Sequence, residues 1–371
     1  LEPLPFEPAG KDAAPDPSAF GPFPVGVRTM TFVDDTRPPP PGYTGEHRTL
    51  TTEVWYPADE AARGQAGVTY LLYDFLPDDL KAKVTDPDLG SLPTSAVRDA
   101  APRTDRGPFP VVLFSHGKGG IRMQSTYYTV FLASHGYVVV APDHPGDTIV
   151  DLLEAGDVDV VGTVQNYVDR PLDMEFLLDE LAGLDDKDPL KPVLDLDHAG
   201  ITGHSFGALT TMIVAGEDFR AKVGVAQSPV GVGLVNAAVA QPLDQFGKPL
   251  MIQSGGLDHT LPEDLDASSL WDNMVKPRAW ESLKRAGHFT YSDLCTFKIA
   301  ELGAALNIDV SNVIDDGCGP TNTPAAIAGP LIRDGAVGFF NVHLRDSPGS
   351  AKYLSNASLD KLTGGEATMQ Q

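Results

Sequence analysis

A serine hydroxyl attacks a carbonyl at neutral pH only with help. It needs a base to take its proton, an acid to orient that base, and N–H donors for the oxyanion that forms. Gly203-His204-Ser205-Phe206-Gly207 offers such a serine in the pattern G-x-S-x-G. The apolar stretch 199–202 precedes it and the helix-forming stretch 208–215 follows. A strand, a sharp turn and a helix at this spacing predict a nucleophile elbow, which pushes Ser205 Oγ out at the top of a sheet. The two glycines let the chain turn where a Cβ would clash.

In sheets that carry such an elbow the partners follow in the order serine, acid, histidine, each on a loop after a strand. Asp258 fits the acid: it lies in Gly255-Gly256-Leu257-Asp258, behind a predicted strand at 249–253, with Glu263 and Asp264 as fallbacks. His288, in Ala286-Gly287-His288-Phe289, fits the base, and His259 is a weaker second choice. His47, His198 and His343 fall outside the expected loops, while His204 is expected to pack beneath the elbow. One oxyanion donor is the amide of Phe206, directly after the nucleophile. The other is expected from Ser115-His116-Gly117-Lys118-Gly119-Gly120, with the Lys118 amide as donor and His116 as a structural hydrogen-bonder. No CxxC, HExxH or Walker-type loop occurs, so the site is read as needing no cofactor and no metal. The acidic stretches at 185–188 and 195–197 lack the spacing of a calcium loop and read as solvated surface.

These residues need a scaffold. From 110 onward, short apolar runs at 110–114, 137–141, 199–202, 221–226, 249–253 and 278–284 alternate with helical patterns near 122–134, 167–181, 206–215, 268–275 and 336–344. That alternation predicts an α/β architecture with a mostly parallel sheet. Within 167–181 the helix rests on Val168, Leu172, Phe176, Leu177 and Leu181. Two alternating runs at 27–33 and 48–56 add an antiparallel pair, for about eight strands with helices on both faces. Residues 1–25, rich in Pro, Ala and Asp, predict an extended arm, and 26–371 one elaborated domain. An irregular insertion at about 66–107 carries the apolar cluster 70–76, which either covers a cleft or packs on the core.

With 27 Lys and Arg against 51 Asp and Glu, the net charge is −24, which disfavours nucleic acid and anionic membranes as partners. No run reaches the ~18 consecutive apolar residues of a membrane-spanning helix. The start, Leu1-Glu2-Pro3, reads as that of a mature or trimmed chain. Cys295 and Cys318 lie in a segment rich in turn residues and are expected to form a disulfide, which implies a secreted or periplasmic protein. Oligomeric state is not legible.

Three blocks closely resemble the platelet-activating-factor acetylhydrolase family and its bacterial dienelactone-hydrolase-like relatives. They are Phe109-Pro110-Val111-Val112-Leu113-Phe114-Ser115-His116-Gly117-Lys118-Gly119-Gly120, then 132–144 ending Ala141-Pro142-Asp143-His144, and the elbow itself. The stretches 24–28 and 53–58 are similar to the N-terminal part of the bacterial proteins. The resemblance implies an α/β-hydrolase fold and a cofactor-free serine esterase, with Ser205, His288 and the amides of Lys118 and Phe206 in the roles already given. One departure matters. Animal members take their acid from the end of the strand after the nucleophile helix, where this chain has Gln227. The later position of Asp258 is the one used by dienelactone hydrolases and polyester-cleaving cutinases. The expected activity is therefore hydrolysis of small or polymeric carboxylic esters through an acyl-enzyme. Short-chain acyl esters, including small acetylated or oxidised lipids, come first; polyesters or lactones are the alternative, and a noncatalytic binding protein or a peptidase is more remote.

Overall fold

The computed structural model describes residues 15–155 and 160–371. Ten strands form the main sheet: β1 (Val25–Asp34), β2 (Arg48–Pro57), β5 (Ala96–Arg98), β6 (Phe109–Ser115), β7 (Val138–Pro142), β8 (Leu194–His204), β9 (Ala221–Gln227), β10 (Leu250–Gly255), β11 (Arg278–Leu283) and β12 (Ala367–Gln370). β3 (Thr69–Leu71) and β4 (Ser91–Pro93) pair separately. The order is β12-β11-β10-β9-β8-β6-β7-β2-β1-β5. The centre from β7 through β6 to β11 is parallel, while β2 and β12 add antiparallel neighbours. The sheet thus has two strands beyond the expected eight, β5 and β12. Each is only three or four residues long, too short for an alternating pattern to show.

The sheet is buried on both faces because its central strands are apolar on both. Along β6, Val112 and Phe114 join one core with the helices Thr126–Ser134 and Ala325–His343, whereas Val111 and Leu113 join the other with Val160–Ala182 and Phe206–Glu217. That is the period-2 alternation of a strand read from either side. The chain leaves β6 for β7 on one side and returns through β8 on the other. The carboxyl ends of β6 and β8 therefore flank the point where strand order reverses, the crevice in which such sheets gather functional groups.

Two helices differ instructively from expectation. In Val160–Ala182 the buried face runs through Met174, Leu177, Leu178 and Leu181, and Val168 and Leu172 face outward at 56% and 39% exposure. Leu177 and Leu181 of the expected stripe are buried, but toward its start Arg170 and Asp173 take the buried face, so hydrophobicity alone misplaces Val168 and Leu172. Ala325–His343 begins eleven residues before the expected 336, because Gly329, Pro330 and Gly335 inside it read as breakers.

Residues 1–14 of the expected N-terminal arm lie outside the described residues. The remainder docks on the core, with the Phe23 ring 5.3 Å from that of Phe109. The 70–76 cluster packs inward: Tyr70, Leu72 and Leu76 are buried, and the Tyr70 hydroxyl donates to Glu53 Oε1 at 2.7 Å.

Three side chains in register cross the sheet beneath its carboxyl edge. Gln227 Nε2 donates to Gln253 Oε1 at 3.0 Å, and Gln253 Nε2 donates to Glu281 Oε2 at 2.6 Å. Burial pushes the Glu281 carboxyl up to about 8, opposed by the Gln253 hydrogen bond and reinforced by Asp334. The unfolded chain releases this proton near 4.5 and the folded chain near 8, so Glu281 withdraws stability as pH rises across that window. Glu281→Gln keeps an acceptor for Gln253 and never ionises. Its melting temperature, compared with wild type across the window, is expected to match best at the acid end and to exceed wild type increasingly toward pH 8.

Candidate active site

The elbow is built as its spacing predicts. β8 ends at His204, Ser205 stands at φ 57° and ψ −116°, and the helix starts at Phe206. A serine in that region of backbone space stores about 1–3 kcal/mol of strain and persists only where neighbours hold it. Here the Ser205 amide donates to the Gln227 carbonyl at 2.9 Å, while the Ser205 carbonyl accepts from the Ala208 and Leu209 amides. The helix can approach β6 only at a glycine: a Cβ on Gly207 would lie 1.9 Å from the Ser115 carbonyl oxygen.

The loops after β8, β10 and β11 bring three expected residues together. His288 Nε2 lies 2.8 Å from Ser205 Oγ, and His288 Nδ1 lies 3.0 Å from Asp258 Oδ2. Asp258 Oδ1 accepts from the Leu261 amide at 2.7 Å, which turns the other oxygen toward the imidazole. His288 and Asp258 are buried, and Ser205 is partly exposed. The histidine is thus shielded while the hydroxyl meets solvent.

The alternatives are engaged elsewhere or face solvent. Glu263 Oε2 accepts from Ser254 Oγ and Ser282 Oγ at 2.7 and 2.6 Å. His259 and Asp264 are exposed. Gln227 turns its side chain into the sheet toward Gln253.

His204 does more than pack. Its Nε2 donates to the His288 carbonyl at 2.9 Å, and its Nδ1 accepts from Gln124 Nε2 at 3.1 Å. Burial, with the charge of a protonated His288 beside it, drives the His204 pKa well below the ordinary histidine range, so the ring stays neutral. The same Gln124 accepts the Gly117 amide at 2.8 Å and so ties the elbow to the Gly-rich loop.

That loop abuts Ser205: a Cβ on Gly117 would stand 3.5 Å from Ser205 Cβ. The Phe206 amide lies in the first turn of its helix, whose N–H groups have no intrahelical acceptor. His116 is a structural hydrogen-bonder, with Nδ1 donating to the Gly117 carbonyl and Nε2 accepting the His144 amide. Behind the loop stands a group the sequence did not reveal. Arg170 is fully buried; it donates to Ser115 Oγ, the His116 carbonyl and Asp147, and its guanidinium lies 4.8 Å over the Phe206 ring.

A second Ser–His–Asp relay crosses this framework. His144 Nε2 lies 3.0 Å from Ser115 Oγ, and His144 Nδ1 lies 2.8 Å from Asp173 Oδ2. Arg48 grips Asp173 through two nitrogens at 2.6 and 2.7 Å. All three relay members are sealed from solvent, and Ser115 Oγ already accepts from Arg170. Burial lowers His144 to about 3, aided by the charge of Arg170, and Asp173 opposes it without prevailing. This relay fastens the loop, whereas the one at Ser205 opens to solvent.

The disulfide Cys295–Cys318 is present. Among the described residues no helix is long and apolar enough to cross a membrane. Two of the acidic side chains find cations, Asp188 with Arg28 and Asp186 with Lys191, and Asp195 Oδ2 lies 2.8 Å from His198 Nδ1.

Comparison with known proteins agrees with this architecture. A ferulic acid esterase from Streptomyces cinnamoneus superposes with a TM-score of 0.73 at 24% identity, over 94% of this chain and 97% of that one. The fold is the α/β-hydrolase fold. A family model described as platelet-activating factor acetylhydrolase, isoform II, matches residues 16–150. The platelet-activating factor acetylhydrolase of Canis lupus familiaris is 26% identical over 279 residues, 64% of this chain and 61% of that protein. A probable 1-alkyl-2-acetylglycerophosphocholine esterase of Arthroderma benhamiae is 29% identical over 198 residues, 51% of this chain and 50% of its own length. The chain therefore spans less than two thirds of the length of the curated relatives it matches. The resemblance read from the sequence blocks is real. The family-model match includes the Gly-rich loop and ends before Ser205, so the relay rests on geometry alone.

Gly207→Ala tests the close approach that shapes this hydrolase-type elbow. Because the opposing atom is a backbone carbonyl, the helix must move. A loss of about 1–3 kcal/mol or more is expected by denaturant titration.

Proposed function

We propose that this chain is a serine hydrolase of carboxylic esters, acting through an acyl-enzyme. The observation that carries the reading is the relay from partly exposed Ser205 Oγ to His288 Nε2 at 2.8 Å, and from His288 Nδ1 to Asp258 at 3.0 Å, beside a Gly-rich loop. The names of the relatives, acetylhydrolase and esterase, favour the same reaction class. The whole of 26–371 is read as one elaborated hydrolase domain.

Ser205 Oγ attacks the ester carbonyl carbon while His288 Nε2 accepts its proton. Asp258 holds the imidazole so that Nε2 is the free lone pair, and it stabilises the imidazolium that forms. The tetrahedral oxyanion lies against the amides of Phe206 and Lys118. Collapse of that intermediate breaks the bond to the alcohol, which takes its proton from His288. A water, deprotonated by His288, then cleaves the acyl-serine and regenerates the enzyme.

Short-chain acyl esters are the proposed substrates, supported by relatives named for acetyl-ester hydrolysis. A secreted or periplasmic setting is proposed on the strength of the disulfide.

Ser205→Ala is expected to abolish turnover of p-nitrophenyl acetate; hydrolysis near wild type would remove Ser205 from its role. Asp258→Asn is expected to lower kcat by about 10⁴-fold with little change in KM. An unimpaired Asp258→Asn would move the acid elsewhere. A series of acyl-chain lengths, run beside a phospholipid and a polyester film, is expected to peak at the shortest chains.

A further inference from the structure

One buried carboxylate that the mechanism does not use ties its parts together. Asp316 is almost fully buried, in the segment that ends at disulfide-bonded Cys318. Its Oδ1 accepts the amide of His288 at 2.9 Å and the amide of His259 at 3.0 Å. Its Oδ2 accepts the amide and hydroxyl of Thr260 at 2.9 and 2.7 Å. One side chain therefore holds the backbone of the base and the two residues that directly follow the acid.

We infer that Asp316 is a positioning residue for the Asp258–His288 pair, clamping the acid loop to the base loop, and that the Cys295–Cys318 disulfide anchors the clamp. The inference rests on the esterase reading of the same site.

Three observations support it. The sequence around the base makes room for the clamp: a Cβ on Gly287 would lie 2.5 Å from the Asp316 carbonyl carbon, so the residue before His288 must be glycine. The segment also needs Gly317, at φ 147°, to turn its carboxylate inward toward both loops. Finally, the carboxylate is built to stay charged. Burial raises its pKa, but the His288 and His259 amides, the Thr260 hydroxyl and the charge of a protonated His288 outweigh burial and leave it below the ordinary value. Four donors on one carboxylate are the strong, charge-assisted kind of hydrogen bond.

The disulfide has a matching place. Cys295 lies seven residues after the base and Cys318 two after the clamp, so the cross-link closes a loop that contains Asp316 and ties it to the segment that follows His288. Its position means that opening it frees the clamp as well as the chain.

Charge gives a signature that mere structural support would not. A negative Asp316 favours protonated His288, as Asp258 does. Neutral His204, with its ring 4.8 Å from that of His288, and uncharged Ser205 face the base from the elbow. Exposed His259 stands on the acid loop, Tyr291 on the base's own turn and Asp315 beside the clamp. Removing the Asp316 charge destabilises the imidazolium, so the acid limb of kcat/KM moves to lower pH.

The test compares wild type, Asp316→Asn and Thr260→Val with p-nitrophenyl acetate, after circular dichroism and melting have shown which variants fold. Asp316→Asn is expected to lower kcat at least tenfold with KM nearly unchanged, and to move the acid limb to lower pH. Thr260→Val removes one hydroxyl from the clamp and is expected to lower kcat about two- to threefold; it decides the matter should Asp316→Asn fail to fold. Wild-type kcat and an unmoved acid limb in a folded Asp316→Asn would overturn the clamp, as would wild-type kcat in Thr260→Val where only that variant folds. The downfield proton resonance of the His288 Nδ1–H···Asp258 bond is read without turnover. An enzyme inactive on esters thus strikes the esterase reading, while loss of this resonance in the variants supports the clamp and its persistence overturns it.

Discussion

Everything at the site depends on a serine kept in a backbone conformation it would not choose. Ser205, at φ 57° and ψ −116°, joins a strand to a helix with no room for a gentler turn. What holds it is contact on every side: the Gln227 carbonyl on its amide, helix amides on its carbonyl, and the Ser115 carbonyl against Gly207. The strain is tolerable because the central strands and the helix Phe206–Glu217 are buried against one another, and packed interiors do not deform continuously.

The same three side-chain types occur twice within this framework and do different work. At Ser205 the hydroxyl meets solvent and its histidine is buried just behind it. At Ser115 the hydroxyl, histidine and carboxylate are all sealed, and Arg170 and Arg48 occupy the remaining hydrogen-bonding positions. A relay can transfer a proton to a reaction only where the reaction can reach it. The inner relay instead stiffens the loop that faces Ser205, and Arg170 links that loop to the ring of Phe206. The loops carrying Asp258 and His288 have a corresponding brace in Asp316. Each wall of the site is thus held by a buried charged group that touches no reacting atom.

Much of this was legible in the chain. The elbow, the order of serine, acid and histidine, the parallel core and the cysteine pair follow from short-range patterns: glycine spacing, apolar runs and turn residues. Such patterns record local geometry, and local geometry is what an elbow or a strand requires. Less was legible where burial and polarity conflict. Arg170, Asp173 and His144 are buried although polar side chains of their kind ordinarily lie at the surface, while apolar Val168 and Leu172 are exposed, so residue type alone does not mark their places. β5 and β12 escaped notice because three or four residues cannot display a period.

By itself the amino-acid sequence determined which residues could perform ester chemistry and the fold able to collect them, since both depend on residue type at fixed spacing. Tertiary structure alone decided which Ser–His–Asp set reaches solvent, that Gln227 turns into the sheet, and that Asp316 spans the loops of Asp258 and His288. The physical reason is distance along the chain. Asp316 meets residues 28 and 57 positions away, and Ser205 meets His288 83 away. No local pattern constrains such separations; only the packing of the sheet brings them within hydrogen-bonding reach.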